Sequence, residues 1–107
     1  MTLAEHCYKF SRGFPREELF GLTAQLRRAA VSVPANIAEG YGRDSKGSYV
    51  SFLKIAQGSL KEVETHAILA QRLEFASVDA ADRVLAQSEV VGKMLRGLIR
   101  TLQGGEA

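Results

Sequence analysis

One cysteine, two histidines and no stretch of about twenty apolar residues set the first limits on this 107-residue chain. Cys7 has no partner for an internal disulfide, which fits a reducing compartment and a passive packing thiol better than a stapled secreted scaffold. The opening residues MTLAEHCYKF lack a basic start followed by an apolar core, so no signal peptide is indicated and the expected location is the cytoplasm. His6 and His66 fall in different segments, with no cysteine or carboxylate at a metal-ligand spacing around either, so no metal site is expected. No phosphate-binding GxxxxGK[ST] loop is present, and GYGR at 40–43 follows no strand; a glycine-capped helix end accounts for both glycines.

What is present is the composition of one small soluble domain over residues 1–107, with 46% hydrophobic and 24% charged residues. The net charge of +2 does not by itself indicate a polyanion partner, which would require the 14 Lys and Arg to cluster in space. Apolar residues recur at helical spacing throughout and predict four helices. The first is short, about Thr2 to Arg12 within segment 1–13, ending where Gly13 takes a left-handed conformation ahead of Pro15. The second carries Leu19, Leu22, Leu26, Ala29 or Ala30, Val33 and Ile37, with a kink expected at Pro34 and an end at Gly40 and Gly42.

The third helix, capped by Asp44 or Ser45, presents Tyr49, Phe52, Leu53, Ala56, Leu60, Val63, Ala67 and Ala70 in a nearly heptad stripe, the pattern of shallow-angle packing. The fourth, about Asp79 to Gln103 with Ser77 as cap, presents Val84, Ser88, Val91, Leu95, Leu98 and Leu102; residues 104–107 are expected to fray. The fold expected is therefore all-α, an up-down-up-down four-helix bundle with a short first helix and a Pro-kinked second helix. A first helix of roughly 16 Å cannot cover a third of roughly 42 Å at 1.5 Å per residue. Either another subunit fills that groove or the chain start is shorter than in related proteins.

The run FPREELFGLTAQLRRAAVSVPANIAEGYGR from Phe14, with GSLKEVET downstream, resembles the bacterial four helix bundle protein family. That family includes proteins encoded within intervening sequences of 23S rRNA genes and is similar to the accessory variability proteins of diversity-generating retroelements. The match covers about Phe14 to Leu73, and the fourth helix agrees only in pattern. The resemblance implies a homopentameric ring, no known catalytic activity and, for the retroelement relatives, a basic surface that engages a reverse transcriptase and nucleic acid. Relatives usually carry about two to three further turns of the first helix, often with a tryptophan.

Five cations are the candidate nucleic-acid-binding residues. Arg27 and Arg28 diverge by about 100° on a helix, so only one can turn inward. They are expected either to pair with Glu62 or Glu64 or to contribute to a phosphate-binding ring. Lys93, Arg96 and Arg100 share one face near a helix C-terminus, where a cation stripe complements the dipole and, repeated by ring symmetry, becomes a basic annulus. No aromatic is interleaved with them, so base stacking is not supported.

Asn36 and Glu39, matching PANIAEG of the family, are read as a polar structural network with Arg43 offsetting the glutamate. His66, four after Glu62, is expected to make a local hydrogen bond or to sit at the core edge rather than to serve catalysis. Pro34 and Gly58 are read as packing devices, Gly58 permitting close approach of another helix, so that leucine there would disrupt folding or assembly. No cofactor, metal or membrane is expected. The function expected is a non-enzymatic oligomeric bundle that binds RNA, DNA or a nucleoprotein partner; the alternative is a protein-protein scaffold with no nucleic-acid role.

Overall fold

Ser45 and Ser77 open the two long helices by accepting hydrogen bonds from free first-turn amides: Ser45 Oγ from the Ser48 N–H at 3.1 Å and Ser77 Oγ from the Ala80 N–H at 3.1 Å. The structure, a computed structural model, describes residues 2–104. Among these residues the elements are α1 (Thr2–Ser11), a 3-10 turn (Arg16–Glu18), α2 (Leu22–Tyr41), α3 (Lys46–Arg72) and α4 (Val78–Gly104), with no strand. Helix α2 packs on α1 and α3, and α4 packs on α3 and α1; the diagonal pairs α1–α3 and α2–α4 do not meet. That ring of neighbours is the up-down-up-down bundle, drawn out to 48 × 23 × 18 Å.

The predicted stripes supply most of the core, although on α4 the unpredicted Ile99 is buried while Val91, Leu98 and Leu102 are only half-buried. Leu26, Ala29, Ala30 and Val33 of α2 face Leu53, Ala56, Leu60, Val63, Ala67 and Ala70 of α3, with Val84, Leu95 and Ile99 from α4 and Leu3 and Cys7 from α1 completing it. Phe10, Phe14 and Phe75 close one end as a chain of rings, with centroids 5.3 and 6.0 Å apart. Ten residues of α1 reach about 15 Å against about 40 Å for the 27 of α3. Beyond Thr2 and Leu3 an open groove of about 240 Å³ therefore runs between α2 and α4, lined by Val33, Pro34, Ile37, Val90 and Met94.

Several sequence expectations are corrected. Gly13 does not take a left-handed conformation, since no described glycine does; α1 ends at Ser11 because the chain turns into the 3-10 segment after Pro15. Leu19 is not in α2 and is exposed. Helix α2 starts only after Gly21, where Glu18 Oε1 accepts the Leu22 N–H at 3.2 Å. Pro34 lies inside α2 as expected, within a helix that extends from Leu22 through Tyr41. Gly40 does not stop the helix. It is buried inside α2, and a Cβ there would lie 2.8 Å from Phe52 Cβ and 3.0 Å from Tyr49 Cδ1. Gly58 is the reverse case: it is exposed, with open space where a Cβ would stand, and permits no close approach. Gly104 continues α4, and the rest of the expected frayed tail lies outside the described residues.

The α3–α4 turn holds the one described non-glycine residue with positive φ, Glu74 at 64°. The Phe75 N–H returns to the Ala70 carbonyl at 2.8 Å and the Glu74 N–H to the Gln71 carbonyl at 3.0 Å, the double bond of a Schellman cap with glutamate where glycine is usual.

Gly58→Ala should raise stability by about 0.5–1 kcal/mol through helix propensity alone, whereas Gly40→Ala should lower it by about 1–3 kcal/mol because Phe52 must move. Thermal unfolding by circular dichroism separates them, at roughly 4–8 °C per kcal/mol; equal midpoints would refute the assignment of the two glycines. Glu74→Gly should raise the melting temperature as well, by relieving about 1 kcal/mol of left-handed strain.

Candidate functional site

The five candidate cations form two groups, one in the first half of α2 and one in the second half of α4. Arg27, near the start of α2, turns toward α1: its Nε donates to Ser11 Oγ at 2.9 Å and its guanidinium lies 4.8 Å from the centre of the Tyr8 ring. Arg28, about 100° further round the helix, is exposed. The expected pairing of these arginines with Glu62 or Glu64 does not occur. Glu62 is exposed, and Glu64 faces α4, where Oε2 accepts from the fully buried Ser88 hydroxyl at 2.7 Å while Oε1 meets Lys61 Nζ at 3.2 Å. The reason is angular: Arg27 looks toward α1, while α3 lies on the other side of α2.

Lys93, Arg96 and Arg100 are all exposed on α4. Arg96 folds back along α4 so that its Nη1, like Leu60 Cδ2 of α3, lies beside Gly92. It is weakly tied to Glu89 at 4.0 Å, an exposed pair worth little. Glu89 is the last acidic residue of α4, so the helix from Lys93 onward carries cations only, at its negative dipole end. The structure thus brings Lys93, Arg96 and Arg100 onto one face but does not bring Arg27 and Arg28 to them.

The polar network is narrower than the sequence predicts. Asn36 Nδ2 donates to the Ser32 carbonyl at 2.8 Å and to Ser32 Oγ at 2.9 Å, and Ser32 Oγ shares a 2.7 Å bond with Ser59 Oγ across the α2–α3 seam. Glu39 stands apart from it and instead meets Arg43 at 3.6 Å, both more than 45% exposed, while Arg43 lies 4.8 Å from the centre of the Phe52 ring. His66 makes no bond to Glu62; its buried Nδ1 has no hydrogen-bond partner. Among the described residues no three His, Cys, Asp or Glu lie close enough together to hold a metal ion.

Sequence reasoning did not find Ser11, Tyr8, Arg12 and Arg16 as neighbours of Arg27. Arg12 and Arg16 line one pocket with Arg27 at the corner where α1, the 3-10 turn and α2 meet. Their signal was weak: two isolated arginines flanking the GFP turn, whose approach to Arg27 depends on how the turn folds back.

The arrangement defines a class of protein: an all-α four-helix bundle with serine, asparagine and glutamate side chains bonded to one another along its seams and most of its cations facing outward. The chain belongs to the family of 23S rRNA-intervening sequence proteins, which it matches over residues 1–97. In fold it is similar to a crystal structure of a protein of unknown function from the S23 ribosomal protein family of Bacteroides thetaiotaomicron. The two are 24% identical with a TM-score of 0.83, over 92% of this chain and 93% of that one. No curated protein matches the chain. No helix of the described residues is long and apolar enough to cross a membrane.

Cys7 is fully buried, and burial pushes its thiol up to about 11. The nucleophilic thiolate is therefore scarce at neutral pH. At pH 8 iodoacetamide should modify Cys7 slowly in the native protein and quickly in denaturant, followed by intact mass; rapid native labelling would contradict this burial.

Proposed function

We propose that the protein is a non-enzymatic oligomeric helical bundle that binds nucleic acid or a nucleoprotein partner through basic surface repeated by ring symmetry. The observation that carries the reading is the α4 face of Lys93, Arg96 and Arg100, exposed and followed by no acidic residue of that helix. Its cations suit phosphates, whose contacts supply most sequence-independent affinity. The name of the family, which couples these proteins to 23S rRNA genes, is consistent with a nucleic-acid setting. The non-enzymatic part is supported by how the interior polar groups are used. Glu64, Ser88, Ser32, Ser59 and Asn36 are bonded to one another or to the backbone, and none is presented toward a substrate cavity. A cytoplasmic location suits the single free thiol of Cys7.

Oligomerisation is supported by the groove beside Pro34, with Val90 and Met94 62% and 54% exposed along it. Apolar surface of that kind marks an interaction site. The same groove favours a second reading, a protein-protein scaffold in which the cations serve solubility alone.

Filter binding of labelled rRNA fragments across a salt series separates the two readings. Affinity should fall steeply with salt, and Lys93→Gln, Arg96→Gln and Arg100→Gln combined should weaken binding, each lost phosphate contact reducing the log-log salt slope by about 0.7–0.9. Absence of binding near 50 mM salt would favour the scaffold. Light scattering gives the mass in solution; a stable monomer would remove the ring.

A further inference from the structure

The pocket of about 240 Å³ at the junction of α1, the 3-10 turn and α2 is lined by Arg12, Arg16 and Arg27, with Ser11 and Thr23 as hydroxyl neighbours. None of its lining residues is acidic. Glu18, the nearest acid in sequence to the α2 start, bonds the Leu22 amide instead. Arg27 is held in place before any ligand arrives: one bond to Ser11 Oγ and stacking on Tyr8 fix its plane and occupy only Nε, so both Nη groups keep their donors. Arg12 directly follows Ser11, the residue that holds Arg27, and Arg16 begins the 3-10 turn behind Pro15, whose φ is fixed near −56°. None of the three arginines is ion-paired among the described residues.

Three arginines line this pocket without a carboxylate among its lining residues, a chemistry suited to an oxyanion. Their planar forks match tetrahedral oxyanions through paired N–H donors. Three positive charges are better balanced by two negative charges than by one, which favours a phosphate monoester over the singly charged diester of a nucleic-acid backbone. We propose that the pocket of Arg12, Arg16 and Arg27 seats a phosphate monoester dianion, such as the terminal phosphate of an RNA or DNA strand. The choice of a nucleic-acid end as its source rests on the nucleic-acid reading above; the anion site itself does not.

The test uses the full chain and two probes. Inorganic phosphate, titrated calorimetrically near neutral pH, should bind saturably. Arg12→Gln combined with Arg16→Gln, both at exposed positions, should weaken binding by about tenfold or more, as loss of charge-assisted hydrogen bonds does. Lys46→Gln with Lys54→Gln, both exposed on α3 and outside either cation group, should leave phosphate binding unchanged. Arg27→Lys, which keeps the charge but loses the fork, should also weaken it, with circular dichroism checking that the bundle is intact. Oligoribonucleotides identical except for a 5′-phosphate or 5′-hydroxyl are the second probe. The phosphorylated one should bind about tenfold tighter, and the difference should vanish in the Arg12→Gln, Arg16→Gln protein.

Absence of saturable phosphate binding, or equal phosphate affinity in that variant, overturns the pocket even where salt-dependent RNA binding through α4 persists. Equal affinity for the two RNA ends overturns the terminal-phosphate assignment. Phosphate binding that depends on Arg12 and Arg16, with neither oligonucleotide bound, upholds the anion site and overturns the nucleic-acid reading instead.

Discussion

The seam between α2 and α3 is the constraint on which the other helices depend. It mixes small residues, Ala29 and Ala30 on one side and Ala56 and Ser59 on the other, with the larger Leu26, Val33, Leu53, Leu60 and Val63. Ser32 and Ser59 share a hydrogen bond inside it, and Asn36 closes on Ser32 from the next turn. An apolar interface alone has several nearly equivalent registers. A hydroxyl pair that must meet to avoid burying an unpaired polar group favours one of them. Near its far end Gly40 lets Phe52 and Tyr49 lie directly on the α2 backbone. With that register set, the stripes left over on the pair form the trough into which α1 and α4 dock.

The second seam, between α3 and α4, repeats the logic with a charge. Ser88 is fully buried and donates to Glu64, whose other oxygen reaches Lys61 at the rim. A carboxylate is thereby brought to the edge of the core without being left alone there, and it is unavailable to Arg27 and Arg28. Those arginines must find partners elsewhere or face water. Arg27 finds Ser11 and Tyr8, an anchorage made of neutral groups, so its positive charge is positioned but not cancelled. Nearly all the cations sit outside these seams for the same reason, since a buried unpaired charge would cost several kcal/mol.

Much of this was legible in the sequence, because helical period carries phase as well as type. Most buried positions of α3 and α4 were those of the predicted stripes, with Ser59, Ala81, Gly92 and Ile99 buried outside them, and Ser45 and Ser77 capped as their place before each stripe required. Even the two glycines that were misread follow the phase: Gly58 lies about 160° round α3 from Leu60, whereas Gly40, fourteen residues after Leu26, falls back within about 40° of it. The 3-10 turn was not legible, because Pro15, Glu17 and Glu18 suit the first turn of an α-helix equally well. Nor was the Schellman cap at Glu74, where the usual glycine signal is missing. The partners of Arg27 depend on the path of α1 over α2, a tertiary fact that no local pattern encodes. The family resemblance was carried by motifs that here prove to be mainly seam and turn residues, so it foretold architecture better than any site.

Phase also relates the two exposed faces of α4. Met94 borders the open groove and Arg96 lies beside Gly92, and two positions on a helix diverge by about 160°. Val90 and Met94 therefore look toward the corner that α1 leaves uncovered, while Arg96 looks away from it, with Lys93 and Arg100 at intermediate angles around the helix. A subunit seated in the groove would bury the apolar flank and leave the cationic one open. The corner arginines lie at the opposite end, past the C-terminus of α1, where such a subunit would not reach unless it overran the groove. Assembly and anion binding are thus geometrically compatible, since neither consumes the surface the other needs. A net charge of +2 conceals this arrangement, because most of the acidic residues that offset the cations stand on other faces and other turns.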